Sequence, residues 1–129
     1  MTLKEIFNAI KNKLDVDTDF AQVDAFCGNT KTNILQACAD NGACVCVSLD
    51  GAEISSANAS YRVKPQSRDI AVYYACSLER MSEGEHLDDI EQILSALHAF
   101  RMDNDTLQPR DIKVVDRDSI VVYALNFTI

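Results

Sequence analysis

The spacing of the apolar residues changes from two to about 3.6 near residue 80, and this change constrains the fold more than any other feature. From Asp69 to Leu78 one face of an alternating segment carries Ile70, Val72, Tyr74, Cys76 and Leu78. Alternation predicts a β-strand with one strongly apolar face. Beyond Ser82 the apolar residues recur at helical spacing, as Leu87, Ile90, Ile93, Leu94, Leu97 and Phe100. This stripe predicts a long amphipathic helix over about residues 85–101.

Other apolar patterns predict further elements of both kinds. Thr2-Leu3-Lys4-Glu5 has the form of a capping box, and the stripe after it predicts a helix over residues 3–14. A short strand over 22–27 and a shorter helix over 31–40, which ends at Asn41-Gly42, are also predicted. The apolar run 43–49 is typical of a strand buried on both faces. Residues 112–115 and 120–129 predict a closing hairpin around the turn Asp116-Arg117-Asp118.

This order of elements favours an α+β fold in one domain, residues 1–129. We expect an antiparallel or mixed sheet of about four to five strands, with two to three helices packed on one of its faces. A length of 129 residues fits one domain, and an apolar content of 47% is ordinary for a globular protein.

A long hairpin arm at residues 50–67 interrupts the core pattern between two predicted strands. A segment of this length without core residues is uncommon in a compact domain, and is usually functional or disordered. Within and just beyond it, Tyr61, Arg62, Lys64 and Arg68 gather basic and aromatic character in an otherwise acidic chain. Because interfaces are enriched in Arg and Tyr, these four are the candidate subunit-interface residues. A surface loop without function is the alternative.

The net charge of −8 disfavours several classes of partner. It repels phosphate backbones and anionic headgroups, so we expect neither nucleic-acid nor membrane binding. The amphipathic N-terminus lacks the apolar run of a secretory signal. An acidic body with a basic arm favours head-to-tail contacts between copies, which close into rings.

The sequence predicts no catalytic residue, no cofactor and no metal. His86 and His98 share one predicted helix about 18 Å apart, so they cannot form one site within a monomer. We interpret His86 with Asp88 and Asp89 as a solvated helix N-terminus.

The five cysteines are predicted to be reduced thiols, mostly packed in the core, because an odd number without a secretory signal is typical of a reducing compartment. Cys44-x-Cys46 lacks the second ligand pair of a metal site.

Four segments give the chain a resemblance to a family of viral assembly proteins. They are Leu3-Lys4-Glu5-Ile6-Phe7, Arg68-Asp69-Ile70-Ala71-Val72-Tyr73, Asp89-Ile90-Glu91-Gln92-Ile93-Leu94 and Val121-Val122-Tyr123-Ala124-Leu125-Asn126-Phe127. With the element order, they make nearly the whole chain resemble the tail terminator proteins of long-tailed bacteriophages. More narrowly, the chain resembles the Gp37-type proteins of Mu-like phages and prophages.

The resemblance implies a structural protein that assembles as a hexameric ring. Such a ring caps the tail tube, stops its polymerisation and joins the tail to the head, so the implied partners are copies of the chain, the tail tube and the head–tail connector. The implied locations are the host bacterial cytoplasm during assembly and then the virion tail. Two other hypotheses stay open: a small acidic adaptor of a bacterial host that binds one protein, and an enzyme whose site forms between subunits, with His86 near Cys27 or Asp89 of the next chain.

Overall fold

The computed structural model describes residues 2–25, 31–51, 54–57, 60–63, 68–103 and 105–129. In chain order its elements are α1 (Leu3–Asp17), β1 (Val23–Asp24), α2 (Lys31–Asn41), β2 (Ala43–Gly51), β3 (Ile54–Ala57), β4 (Ser60–Val63), β5 (Asp69–Ser77), α3 (Leu78–Ser82), α4 (Glu85–Leu97), β6 (Arg101–Met102), β7 (Asp105–Thr106), β8 (Gln108–Arg117) and β9 (Ile120–Thr128).

The main sheet has five strands in the order β1-β2-β5-β9-β8. The two-residue strand β1 is parallel to β2, and the other three pairings are antiparallel, so the sheet is mixed. The predicted α+β class and strand number are confirmed. The apolar runs of β2 and β5 pair directly, from Ala43 opposite Cys76 to Leu49 opposite Ile70.

Helices cover both faces of this sheet rather than one. Alternate residues of a strand point to opposite faces, and the buried residues divide accordingly into two clusters. Helices α1 and α4 pack on the face that carries Val45, Tyr74, Leu125 and Phe127. We call this the α1/α4 face. Helix α2 packs on the other, the α2 face, which carries Cys44, Ala75 and Ile120. The expectation of one covered face is therefore wrong, because the small side chains on the α2 face are also buried.

The ends of several elements differ from the predicted ends. Helix α1 continues to Asp17, where the pairs Lys11–Asp15 and Lys13–Asp17 link successive turns at 2.5 and 2.6 Å. Helix α4 ends at Leu97, because His98 has a ψ of 120°, outside the helical region, and Ala99 follows at a φ of 54°. Strand β8 is longer than the predicted 112–115, and the preceding connection contains the small hairpin β6–β7.

The arm contains a β-hairpin of its own. Strands β3 and β4 pair antiparallel, from Ile54 opposite Val63 to Ala57 opposite Ser60, and form a separate two-stranded sheet. The hairpin lies between β2 and β5, two central strands of the main sheet. Each end of the arm therefore continues into a strand of the main sheet.

Candidate functional site

A charged network connects β5, α3 and α4. Nε of Arg80 donates to Oδ2 of Asp89 at 2.5 Å, and Nη2 donates to Oδ1 at 2.7 Å. The Tyr74 hydroxyl donates to Oδ2 of the same carboxylate. Nη1 of Arg80 also donates to Oε2 of Glu85 at 2.7 Å. The Asp89 side chain is only 3% exposed, so this is a largely desolvated carboxylate with three donors.

The local sequence explains how these groups meet. Tyr74 lies on the α1/α4 face of β5, and Asp89 is one turn before Ile93 on the buried side of α4. Ser77 caps the N-terminus of the short helix α3, and its hydroxyl accepts from the Arg80 N–H at 3.2 Å. Gly84, at a φ of +76°, is the residue that precedes α4. The guanidinium of Arg80 thereby lies beside Asp89.

The network fixes the protonation states of Tyr74 and Arg80. Burial, together with the hydrogen bond to Asp89, raises the pKa of Tyr74. The hydrogen bonds to Asp89 raise the pKa of Arg80. Tyr74 is therefore a neutral donor and Arg80 a cation at neutral pH. Because both oxygens of Asp89 already accept hydrogen bonds, this carboxylate is poorly suited to act as a general base.

A cavity of about 300 Å³ borders this network. Asp19, Asn41, Gln92, Arg80 and Asp89 contribute its polar groups. Two carboxylates and one guanidinium line it, and that guanidinium is engaged with Asp89. The cavity therefore offers hydrogen-bonding groups but no uncompensated cation for an anionic ligand.

The environment of His86 differs from the prediction. Its side chain is buried and stacks on Tyr123, with ring centroids 6.1 Å apart. Asp88 is exposed as expected, whereas Asp89 is buried and ion-paired, so the expectation of solvated acids is wrong for Asp89. Sequence alone could not show that Arg80 folds back onto α4. The described part of the chain contains no cluster of three metal-ligating side chains.

The cysteines also differ in part from the prediction. Cys38, Cys44 and Cys76 are free and buried, as expected of core thiols. The Cys38 thiol donates to the sulfur of Cys44, which raises the pKa of Cys38 and lowers that of Cys44. Cys46 is disulfide-bonded, so the prediction of reduced thiols is wrong at this position. Spacing along the chain does not reveal which sulfurs meet in space. Cys27, named in the inter-subunit enzyme hypothesis, lies outside the described residues.

The four candidate interface residues have different positions. Tyr61 and Arg62 lie on β4, opposite Ser56 and Ser55. Lys64 lies outside the described residues. Arg68 is 5% exposed, and its Nη2 lies 3.4 Å from Oδ2 of Asp105. Its side chain is therefore packed within the subunit, and its place at a subunit interface stays a prediction. Its carbonyl also accepts the N–H of Ile129 at 3.0 Å, which fixes the chain end against the sheet.

The open edge of the main sheet is a feature that sequence reasoning missed. Strand β8 lies at one edge of the main sheet, and its residues are exposed along almost all of its length. It carries three exposed branched apolar residues: Ile112 (43%), Val114 (46%) and Val115 (57%). On the α2 face, an apolar groove of about 310 Å³ runs past Val115, where Tyr73 and Val122 also line it. The sequence feature that could have indicated this edge is the presence of apolar residues within the strongly charged segment 110–117.

No protein-family model matches the chain, and no curated protein matches it. Among the described helices, none combines the length and apolar character needed to cross a membrane.

Proposed function

We propose that this chain is a structural assembly protein of a phage or prophage tail, a tail terminator that works as a ring of identical subunits. The observation that carries the proposal is the arm, which forms a β-hairpin between β2 and β5, two paired strands of the main sheet. Its role in this proposal is to reach the neighbouring subunit.

The arm forms a two-stranded sheet that is separate from the main sheet. A two-stranded hairpin is only marginally stable in water by itself, because it buries little apolar surface. Strands β3 and β4 pair with each other and with no other described strand, so each has one unpaired edge within that part of the chain. A neighbouring subunit would supply both burial and partners for these backbone groups. The arm therefore favours contacts with a second chain.

The symmetry of such a contact favours a ring. The arm of one subunit and the surface that receives it on the next are different surfaces, so the contact is heterologous. Heterologous contacts close when the rotation between subunits divides a full turn. In the proposal the closed form is a hexamer that caps the tail tube and presents a surface to the head–tail connector. The partners of the ring are the tail-tube protein and the head–tail connector. The ring forms in the host bacterial cytoplasm and then becomes part of the virion tail.

The proposed role is not catalytic, and the polar network is consistent with this. Asp89 accepts from Arg80 and Tyr74, which secures α3 and α4 to the sheet. In the proposal this network, like the buried Arg68, keeps the body rigid while the arm makes contacts.

The test is to shorten the arm and measure assembly. Residues 54–63 are replaced by a two-residue turn, and native mass spectrometry with electron microscopy reports the oligomer. We expect rings from the full chain. From the shortened chain we expect smaller species that keep the helical circular dichroism signal and the cooperative thermal unfolding of the full chain. Arg62→Glu should weaken rings, whereas Lys4→Glu, the same charge change on the exposed side of α1, should not. Full assembly without the arm would contradict the proposal.

The alternative function, a host adaptor that binds one protein partner, is favoured by the apolar groove beside Val115. It predicts a stable monomer whose groove takes an apolar segment of the partner. A monomer at every concentration, with specific binding lost in Val115→Asp, would support the adaptor instead of the ring.

A further inference from the structure

We propose that β8 pairs antiparallel with β8 of a second copy of this chain, about a two-fold axis at Lys113, so that two five-stranded sheets become one. This contact is isologous, involves no residue of the arm, and does not depend on the proposed function.

The first support is the state of the edge. Strand β8 has β9 on one side and no described strand on the other. It runs for ten residues and carries three exposed branched apolar side chains. Long exposed edge strands with apolar residues are templates for pairing with another chain. The opposite edge strand, β1, has two residues only.

The second support is the assignment of β8 side chains to faces. Ile112 and Val114 lie opposite Leu125 and Tyr123, so they project on the α1/α4 face. Lys113 lies opposite Ala124 on the α2 face. One bulge follows Pro109 and another follows Val114. Between these bulges, residues 111–114 pair with β9 in regular register. The bulge after Val114 places Asp116 on the α2 face, opposite Val122.

These faces select the register. With the axis at Lys113, Ile112 lies opposite Val114 of the second copy, within the regular segment 111–114. Beyond the bulges, Arg110 of one copy lies near Asp116 of the other. The axis creates each of these pairs twice. Both members of the apolar pair lie on the α1/α4 face. A shift of one residue would place apolar side chains opposite residues of the other face. If the axis passed through Ile112 instead, the pairing would shift by two residues, and Val114 would lie near Arg110 of the second copy.

Two charges modulate this contact. Arg110 already pairs with Asp69 at 3.0 Å, but both side chains are more than one-third exposed, so the exchange of partners costs little. At the axis Lys113 faces its own copy, and like charges directly opposite each other destabilise strand pairing. Removal of this charge should therefore strengthen the dimer by about fivefold.

The experiment combines sedimentation with cross-linking in the full-length chain carrying Arg62→Glu, a change that should weaken ring assembly. We expect a monomer–dimer equilibrium that Val114→Asp abolishes and Lys113→Thr strengthens. Leu87→Asp is the matched control, since it places the same charge at another exposed apolar residue, which lies on α4.

Cross-linking tests the register separately. Lys113→Cys should form a covalent dimer on mild oxidation, because the axis brings the two copies of this position together. Gln108→Cys, at the start of the same strand, should not. A monomer at all concentrations, or equal cross-linking at both positions, would overturn the proposal. So would equal effects of Val114→Asp and Leu87→Asp. If the full chain forms rings while these tests fail, only the β8 pairing is wrong. If β8 pairs but no ring forms, only the ring is wrong.

Discussion

Arg80 and Asp89 form a two-pronged ion pair that joins α3 to α4, with Nε–Oδ2 and Nη2–Oδ1 distances of 2.5 and 2.7 Å. The Tyr74 hydroxyl adds a third hydrogen bond to the same carboxylate from β5. One nearly buried acid thus connects the centre of the sheet to both helices that follow it in the chain. This contact is a buried polar link between the sheet and two helices.

Replacement of Arg80 should destabilise the fold strongly. Arg80→Met leaves the Asp89 carboxylate buried with Tyr74 as its remaining partner in the network. Breaking a buried pair from one side costs about 3 kcal/mol or more. Urea unfolding followed by circular dichroism measures the loss. Lys11→Met, which breaks the exposed pair with Asp15, should cost less than about 1 kcal/mol. Equal losses in the two variants would show that Asp89 is not desolvated.

The stability should fall at alkaline pH, in part through Tyr74. Burial and the bond to Asp89 raise the pKa of Tyr74 in the folded chain above its ordinary value of about 10. Below pH 10 the residue is protonated in both states and its contribution is complete. Above pH 10 the unfolded chain loses this proton first, so the free energy of unfolding decreases as the pH rises.

The Tyr74→Phe variant isolates this effect. Urea unfolding between pH 8 and pH 11, a range set about the ordinary tyrosine pKa, should show a smaller decrease for the variant than for the parent chain. The raised pKa of Cys76 also contributes to the alkaline decrease, and the hydrogen bond with Tyr74 lowers that pKa, so the comparison is made with Cys76→Ala in both proteins. Parallel pH profiles would mean that Tyr74 is not protected from ionisation.

The turn between α3 and α4 should require glycine for its backbone and not for space. Gly84 has a φ of +76°, and a Cβ added there meets no other atom within 4 Å. Gly84→Ala should therefore lower the free energy of unfolding by about 1 kcal/mol, because of the left-handed backbone alone. Gly84→Asn should cost less, since Asn tolerates this region better. Thermal unfolding compares the two variants, and an unchanged stability in Gly84→Ala would contradict the assigned conformation.

Local patterns predicted most of the fold because they reflect burial directly. The alternation in 69–78 and the stripe in 85–101 became β5 and α4, since each buries its apolar face in the α1/α4 core. The position of α2 was missed because Ala37 and Cys38 are too small to indicate which face of the sheet they cover.

The candidate site was less predictable, because its parts meet only in the folded chain. Arg80 and Asp89 are nine residues apart, and their contact depends on α3, a five-residue helix with no buried residue to mark it. The basic and aromatic residues of the arm were visible in sequence, but Arg68, at its end, proved to be buried beside Asp105. Exposure of the apolar residues on β8 follows from its edge position, which no local pattern encodes.

Assembly of the full chain tests the central claim most directly. Native mass spectrometry over a range of protein concentrations, with electron microscopy of the same samples, measures the number of subunits and the shape of the particle. The proposed function predicts closed rings of six subunits that disappear when residues 54–63 are replaced by a short turn. A protein that remains a monomer or a simple dimer at every concentration, with or without the arm, would contradict it.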